Sequence, residues 1–218
     1  MKVSALQTRP DQIRLSTDLE NHLDWYSANK LATLGNAQIA DAKRVALFCS
    51  KKCPGTLIIK THDLAHTLRD AGITVIGGFH SPVEEECLNV LLKGGQPLII
   101  CPARSLDGMR IPAAWRKPIE QGRLLLLSPF EKKHRRATAD LAQKRNEFVA
   151  ALADAVFIAY AASGGSTELL CKTILSWSKI VLTFEHLENA PLVGLGAKPL
   201  TMDSALREIR PLIAHTES

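Results

Sequence analysis

Small and basic residues follow several of the apolar runs in this 218-residue chain, and these are the residue types that bind phosphate groups. A Gly-rich turn lets the backbone approach a ligand closely, and a helix that begins after such a turn presents free N–H groups to an anion. Lysine and arginine add the complementary charge. The candidate ligand-binding residues of these stretches are Ser50, Lys51 and Lys52; Gly77, Gly78, Phe79, His80 and Ser81; Arg104; and Ser163, Gly164, Gly165, Ser166 and Thr167.

A predicted helix over 136–152 adds three further candidates, Lys144, Arg145 and Asn146. These polar donors lie near the middle of a helix whose later residues are nearly all apolar. The helix leads into a predicted strand that ends at the turn 163–167. A basic side chain held on a buried helix beside a Gly-rich turn suits a phosphate ligand.

The segment after Gly78 has two interpretations that both follow from its residue types. Ser81 is a favourable N-cap, Pro82 suits the first helical position, and the three glutamates at 84–86 lie where the helix dipole favours carboxylates. The same turn also has the composition of an anion site. The sequence leaves both a plain turn and a ligand site open.

Positive charge is concentrated in one part of the chain. The formal net charge is +5, yet the stretch from Arg104 to Arg145 holds eleven Lys or Arg against four Asp or Glu, which leaves +7 there and −2 elsewhere. Such clustering indicates an anionic partner, and the alternative is a solvated basic surface with no ligand.

Other residue patterns point away from metal and dinucleotide chemistry. His62 and His66 have the i, i+4 spacing of zinc proteases, but Asp63 stands where those enzymes have glutamate, and no third ligand is evident. The chain has no GxGxxG fingerprint. We therefore predict neither a metal site nor a cofactor.

The elements that must position these residues are short buried strands that alternate with amphipathic helices. We predict strands over 45–49, 73–77, 97–101, 123–128, 155–161 and 179–184, and helices over 56–71, 82–93, 136–152, 167–177 and 203–214. Strands separated by helices form βαβ units with a parallel sheet covered on both faces. The predicted fold is therefore an α/β, Rossmann-like three-layer sandwich with a mostly parallel sheet of at least five strands.

The first residues of the chain do not follow this alternation. The segment 19–34 is predicted to form one or two short helices, so we divide the chain into an N-terminal helical extension (1–44) and a Rossmann-like domain (45–218).

In a mostly parallel sheet of this kind, ligands bind beyond the carboxyl ends of the strands, where the candidate turns are expected to meet.

Composition also bears on the compartment. No apolar run approaches the roughly 20 residues needed to cross a bilayer, and the N-terminus has no continuous apolar core of a secretory signal. The five cysteines form no CxxC pair, and three lie in or beside apolar runs. We expect a cytoplasmic protein with reduced thiols and no membrane partner.

The order of these motifs resembles the core of the DNA-processing protein A (DprA, or Smf) family over about residues 31–200. The family's glycine-containing lead-in is similar to Leu34-Gly35-Asn36, and its Gly-Ser-Arg after the first core strand is similar to Cys49-Ser50-Lys51. Its Arg-Asn helix with Leu-Ser-Asp resembles Arg145-Asn146 and the residues 152–154. Its Ser-Gly-Ser turn resembles 163–167. The turn at 78–81 is shorter than the family's and lacks its arginine.

This resemblance implies a protein that binds single-stranded DNA, forms a homodimer and acts with a recombinase. The wider superfamily includes LOG-type nucleotide hydrolases, which Lys144-Arg145 and the segment 164–168 also resemble. Under that alternative, an N-glycosidase of nucleoside monophosphates, Arg145 orients the substrate and Glu168 stabilises the sugar cation or activates water. A sensor that binds a nucleotide without cleaving it is the third hypothesis.

Overall fold

The computed structural model describes residues 22–26 and 31–213. The strands are β1 (Ala32–Gly35), β2 (Arg44–Phe48), β3 (Thr74–Gly77), β4 (Leu98–Ile100), β5 (Leu124–Ser128), β6 (Ala155–Ile158), β7 (Val181–Phe184) and β8 (Lys198–Leu200). The helices are α1 (Gly55–Asp70), α2 (Pro82–Leu91), α3 (Ala113–Glu120), α4 (Ala139–Leu152), α5 (Ser166–Ser176), α6 (Ala190–Leu195) and α7 (Ala205–Ile213). Two short 3-10 helices occupy Ala37–Asp41 and Leu187–Asn189.

The strands form one eight-stranded sheet in the order β1-β5-β4-β3-β2-β6-β7-β8. The pairs β4–β5, β2–β6, β6–β7 and β7–β8 are parallel, whereas β1 runs antiparallel to β5. The predicted Rossmann-like α/β fold with a mostly parallel sheet of at least five strands is confirmed.

Complete burial of the central strands explains why their sequences read as continuous apolar runs. The side chains of Leu124 to Leu127 in β5 are all 0% exposed, and every residue of β2, β3 and β6 is buried. Parallel strands have helices over both faces, so no position of such a strand needs to be polar.

The last three residues of the segment 19–34, for which one or two short helices were predicted, lie in a strand. Ala32–Gly35 is strand β1, and its residue Thr33 is paired in register with Leu127 of β5. A four-residue strand obtains its hydrogen bonds from a partner distant in sequence, so local composition gives little indication of it. Residues 1–21 and 27–30 lie outside the described part, and the boundary at residue 44 stays a prediction.

Besides β1 and the two 3-10 helices, two helices and one strand were not predicted, because each is short or contains proline. Helix α3 begins after Pro112 and contains Pro118, so the connection between β4 and β5 read as irregular. Helix α6 has six residues, and edge strand β8 has three. No helix within the described ranges is long and apolar enough to span a membrane.

The backbone contacts divide the chain into two compact units. The first unit contains the described residues up to Ala42, together with Ile76–Gly78 and Pro97–Leu152. The second unit contains Lys43–Val75, Phe79–Gln96 and the described residues from Ala153 onward. The candidate residues are distributed over both, and each unit is described by itself.

Candidate functional site

Arg145 is a buried charged residue of the first unit. Its side chain is only 3% exposed on α4, and its Nη1 donates to the Cys101 carbonyl oxygen at 3.0 Å. Its Nε donates to Oδ1 of Asn146 at 2.8 Å. A Cβ atom at Gly78 would overlap Nη1 and Cζ of this guanidinium. Gly78 is therefore required by the close approach of a buried cation to the backbone.

This packing joins the ends of two strands. The Cys101 N–H donates to the Gly77 carbonyl oxygen at 2.8 Å, so the chain leaves β3 and β4 at the same place. The Arg145 guanidinium also donates to the carbonyl oxygen of Cys101. Within the first unit, the turns that follow residues 77 and 101 therefore lie next to each other, as the sequence predicted.

Lys144 and Asn146 have different surroundings from Arg145. The Lys144 ammonium pairs with the Asp140 carboxylate one turn earlier on α4 at 3.1 Å, and 38% of its side chain is exposed. Asn146 is half-buried and accepts the hydrogen bond from Arg145. Of the three polar donors predicted on this helix, Lys144 lies at the surface and the other two form an internal pair.

Two loops at the carboxyl ends of β4 and β5 are joined to one another. The Ser105 N–H donates to the His134 carbonyl oxygen at 2.8 Å, and the Ser128 hydroxyl donates to the Arg104 carbonyl oxygen at 2.8 Å. We call residues 101–112 and 129–138 the basic loop pair. Its six cations are opposed by two acids, Asp107 and Glu131; the cations are Arg104, Arg110, Lys132, Lys133, Arg135 and Arg136.

Most cations of the basic loop pair are accessible to an anionic ligand. Arg104 is half-buried, and the other five are exposed. Within the residues that the structure describes, only two of the exposed five pair with acids, Lys133 with Glu131 at 3.3 Å and Arg135 with Asp107 at 4.0 Å. All six cations lie within the basic stretch from Arg104 to Arg145 noted in the sequence, but among them only Arg104 was predicted to bind a ligand. The signal was available, because 132–136 follow β5 as directly as Arg104 follows β4.

Aromatic side chains near these loops belong mainly to the core. Phe130 is 5% exposed and stacks on Trp25, with ring centroids 6.2 Å apart and an interplanar angle of 11°. The half-buried Trp25 donates from Nε1 to Glu147 at 3.3 Å. This stack holds the start of the second loop in place, and Phe130 offers no face to a base.

In the second unit, Glu84 occupies the place where the sequence allowed a ligand anion. Its carboxylate is 7% exposed; Oε1 accepts from the Cys49 N–H at 2.8 Å, and Oε2 accepts from His80 at 2.8 Å and Ser81 at 3.3 Å. Ser81 in turn caps the Glu84 N–H. The N–H groups of His80 and Ser81 are thus bound by an internal carboxylate, which favours the plain-turn interpretation.

Ser50 links the turns that follow β2 and β6. Its N–H donates to the Tyr160 carbonyl oxygen at 3.0 Å, and its hydroxyl accepts from the Ala162 N–H at 3.0 Å. Ser50 is 8% exposed, so its role is to fix these turns. The neighbouring Lys51 and Lys52 are exposed and lie at the carboxyl end of β2. They are the accessible cations of the predicted Ser-Lys-Lys group.

The turn 163–167 is closed by its own hydrogen bonds. Gly164 has a φ of 68°, and Gly165 donates to the Ala162 carbonyl oxygen at 3.0 Å. Helix α5 has no side-chain cap, and the first N–H groups of a helix lack intrahelical acceptors. The N–H groups of Ser166 and Thr167 at this helix N-terminus are therefore compatible with an anionic ligand.

Glu168 is held by two groups of the same turn and helix. One carboxylate oxygen pairs with Lys172 at 2.7 Å, and the other accepts from the Gly164 N–H at 2.7 Å. The hydrogen bond from Lys172, and then that from Gly164, lower the pKa of Glu168 below its ordinary value. A carboxylate that is stabilised in its ionised form keeps its negative charge but is a weaker base for activating water.

The histidine pair of α1 is not part of a larger cluster. The rings of His62 and His66 lie with centroids 4.7 Å apart. Among the described residues, no group of three or more His, Cys, Asp or Glu is placed to hold a metal ion.

Comparison with known families assigns most of the chain to one of them. A family model described as DNA recombination-mediator protein A matches residues 21–196. The chain belongs to this family. No significant match was found among curated proteins.

Solved structures of this family have the same fold. DNA processing protein A from Streptococcus pneumoniae is 18% identical, with a TM-score of 0.68 over 86% of this chain and 69% of that chain. DNA processing protein A from Helicobacter pylori, described for its single-stranded DNA binding mode, is 19% identical, with a TM-score of 0.70 over 84% and 88%.

Another solved structure with a similar fold is described as binding a different ligand. The molybdenum cofactor binding protein of Rippkaea orientalis is 13% identical and covers 79% of this chain and 98% of its own, with a TM-score of 0.55. At such identities the likeness concerns the fold alone, and a shared fold does not imply a shared ligand.

Proposed function

We propose that this member of the recombination-mediator family binds single-stranded DNA through phosphate contacts. Family membership supports a role in DNA processing, and the Helicobacter pylori relative is described as binding single-stranded DNA. Phosphates supply most of the sequence-independent affinity of nucleic-acid complexes. The surface that carries the proposal must therefore be positively charged, accessible and rigid.

The basic loop pair is the observation that carries the proposal. Its six cations and two acids give a local charge of +4 on two loops. The bonds Ser105–His134 and Ser128–Arg104 keep the loops together at the carboxyl ends of β4 and β5. A backbone fixed in this way loses little conformational entropy when a phosphate binds, so the charges can contribute to affinity.

The second unit offers its own set of phosphate donors. Lys51 and Lys52 are exposed after β2, and the N–H groups of Ser166 and Thr167 open the uncapped helix α5. We propose that these groups bind backbone phosphates directly. Ser50, Ser81 and Glu84 act behind them as positioning residues, because their polar atoms are taken by the protein itself. In the first unit, Arg145 has the same positioning role.

A charge-matched pair of variants tests the basic loop pair. Lys132→Gln combined with Arg136→Gln removes two exposed cations from the loops, whereas Arg116→Gln combined with Lys117→Gln removes two exposed cations from α3. Binding of a fluorescein-labelled oligothymidylate is measured by anisotropy. The loop variant is expected to bind about tenfold more weakly or worse, the scale of a lost charge-assisted hydrogen bond. Equal losses in both variants would contradict this location.

The hydrolase alternative is tested with the same preparations. Incubation with a panel of nucleoside monophosphates, scored for free base, detects N-glycosidase activity. The engagement of Glu168 with Lys172 and Gly164 supports a structural role, so no base release is expected. Base release that disappears in Glu168→Gln would replace the binding proposal with the enzyme.

We propose further that the protein acts as a homodimer that delivers single-stranded DNA to a recombinase. The family description as a recombination mediator supports the second part. Light scattering across a concentration series tests the dimer. Retention of a bacterial recombinase on a DNA-bound column, with and without this protein, tests delivery.

A further inference from the structure

Tyr160 is an aromatic residue of the second unit that the phosphate contacts proposed above do not use. It lies just beyond the carboxyl end of β6, between Ile158 and the turn 163–167. Its side chain is half-buried, and it makes no hydrogen bond and no aromatic ring contact with another described residue. A partly exposed tyrosine ring can cover the apolar face of a ligand while its hydroxyl stays in water.

The other phenylalanine and tryptophan side chains of this unit are placed differently. Four of them are buried in the core: Phe48, Phe79, Phe157 and Phe184. Trp177 is half-buried, but it is the C-cap residue of α5 and lies at the opposite end of that helix from the turn 163–167. Among the described residues of this unit, Tyr160 therefore supplies the accessible phenyl or indole ring at the carboxyl ends of the strands.

The backbone around Tyr160 is fixed by neighbouring elements. The Ala159 N–H donates to the Phe48 carbonyl oxygen at 2.9 Å, and the Ala159 carbonyl oxygen accepts from Nδ2 of Asn189 at 3.0 Å. The Tyr160 carbonyl oxygen accepts from the Ser50 N–H at 3.0 Å. The ring therefore projects from a rigid position, so little backbone entropy is lost when a ligand packs against it.

The bond to Ser50 also places Tyr160 next to accessible cations. Lys51 and Lys52 directly follow Ser50, and both are exposed. Each nucleotide carries a phosphate and a base, so these lysines and the neighbouring ring can bind one segment of a strand. Bases stack on aromatic side chains with little regard to sequence, because every base has a flat face. In a duplex both faces of a base are covered by its neighbours, so only an unpaired base is available to the ring.

We propose that Tyr160 stacks on an unpaired base of the DNA strand whose phosphates Lys51 and Lys52 bind, and that this stack makes the second unit prefer single-stranded to duplex DNA. The lysines contribute affinity for both forms of DNA, because both present phosphates. Tyr160 contributes the preference between the two forms. The inference rests on the function proposed above, to which it adds a base contact.

Two fluorescein-labelled strands of equal length separate base contacts from phosphate contacts by anisotropy. One is oligothymidylate, and the other has the same backbone with abasic tetrahydrofuran sites. Tyr160→Ala should bind oligothymidylate about tenfold more weakly, the scale of one base–aromatic stack, and should bind the abasic strand as wild type does. Tyr160→Phe keeps the ring and should bind both strands as wild type does. Lys51→Gln combined with Lys52→Gln should weaken binding of both strands.

A chemical readout on the unaltered protein shows which residue meets the base. Oligothymidylates that each contain one 5-iododeoxyuridine, at a different position in each strand, are irradiated in complex with the protein. The cross-linked peptides are then identified by mass spectrometry. A cross-link at Tyr160 is expected. Complexes that cross-link elsewhere, with none at Tyr160, would overturn the stack, and this result decides the case even if Tyr160→Ala does not fold.

The binding outcomes separate this inference from the proposed function. An equal loss of both strands in Tyr160→Ala would show that the residue only shapes the turn. Full affinity of Tyr160→Ala for oligothymidylate, together with weakened binding in the lysine variant, would remove the stack and leave the proposed function intact. If wild type binds neither strand, the proposed function fails, and the base contact fails with it.

Discussion

Glu84 and Arg145 are charged side chains that serve the backbone of their own units. Glu84 accepts from three N–H groups, those of Cys49, His80 and Ser81. Arg145 donates to the Cys101 carbonyl and to Asn146. A buried charge is tolerated only when its hydrogen-bonding capacity is used, and both residues meet that condition. Their function is therefore to hold the turns from which exposed residues project.

Replacing the Glu84 carboxylate is expected to destabilise the protein. In Glu84→Gln, the amide presents an NH₂ group where a carboxylate oxygen accepted hydrogen bonds, so at least one buried N–H loses its acceptor. The expected loss is about 1–3 kcal/mol of unfolding free energy. Urea denaturation measures it, and Glu85→Gln, exposed on the same helix, should change little. Equal stability of the two variants would show that the three bonds contribute nothing.

The close packing of Gly78 against Arg145 predicts a second effect on stability. In Gly78→Ala, the new methyl group must displace the guanidinium from the Cys101 carbonyl. Overpacking of this kind costs about 1–3 kcal/mol. A Cβ atom at Gly95 meets nothing within 4 Å, so Gly95→Ala is the control. A Gly78→Ala protein as stable as Gly95→Ala in urea would mean that the guanidinium moves aside freely.

At the scale of elements, α2 and α5 begin in different ways. Helix α2 has a full capping box, in which Ser81 caps Glu84 and Glu84 returns to the start of the helix. Helix α5 has Gly165 at its N-cap position, and glycine has no side chain that could accept a hydrogen bond; Glu168 binds Gly164 and Lys172 instead. The N-terminal N–H groups of α2 are therefore bound by the protein's own side chains, whereas α5 has N–H groups that can bind a ligand.

The Glu168–Lys172 pair gives stability a defined pH dependence. The pKa of Glu168 is lowered in the folded state, so the pair stabilises above the ordinary value of 4.5, and this contribution is lost as the pH falls through the folded-state pKa. Lys172→Met should therefore be less stable than wild type at neutral pH, with the difference disappearing in acid. Urea titrations at both pH values measure this. Lys93→Met, at a position with no ion pair to any described residue, should show no such change; a pH-independent loss in Lys172→Met would contradict the assignment.

At the scale of the whole molecule, uneven charge predicts how DNA affinity responds to salt. The net charge is +5, but the stretch 104–145 alone carries +7. Each phosphate neutralised on single-stranded DNA contributes a slope of about 0.7 to the dependence of log affinity on log salt. Lys132→Gln with Arg136→Gln should therefore reduce the slope by about 1.4, whereas Arg116→Gln with Lys117→Gln should leave it unchanged. Affinity that is independent of salt in wild type would identify the stretch as a solvated surface.

Strand and helix alternation was readable from the sequence because it is a local property. The apolar run of β5, the Ser81-Pro82 start of α2 and the Gly-rich turn before α5 each lie within a few residues of the structure they specify. Such signals predicted the Rossmann-like fold, the turns at the strand ends and the excess of positive charge. They also carried the resemblance to the family.

Only the tertiary structure decided which of those groups remain available to a ligand. The Cys49 N–H lies 35 residues from the Glu84 carboxylate that binds it, and the Cys101 carbonyl lies 44 residues from Arg145. Strand β1 likewise depends on β5, far along the chain. A donor becomes free or occupied according to which distant side chain the fold brings to it, and burial makes that pairing obligatory. The sequence therefore predicted donors and charges, whereas long-range packing divided them into those that hold the turns and those that face solvent.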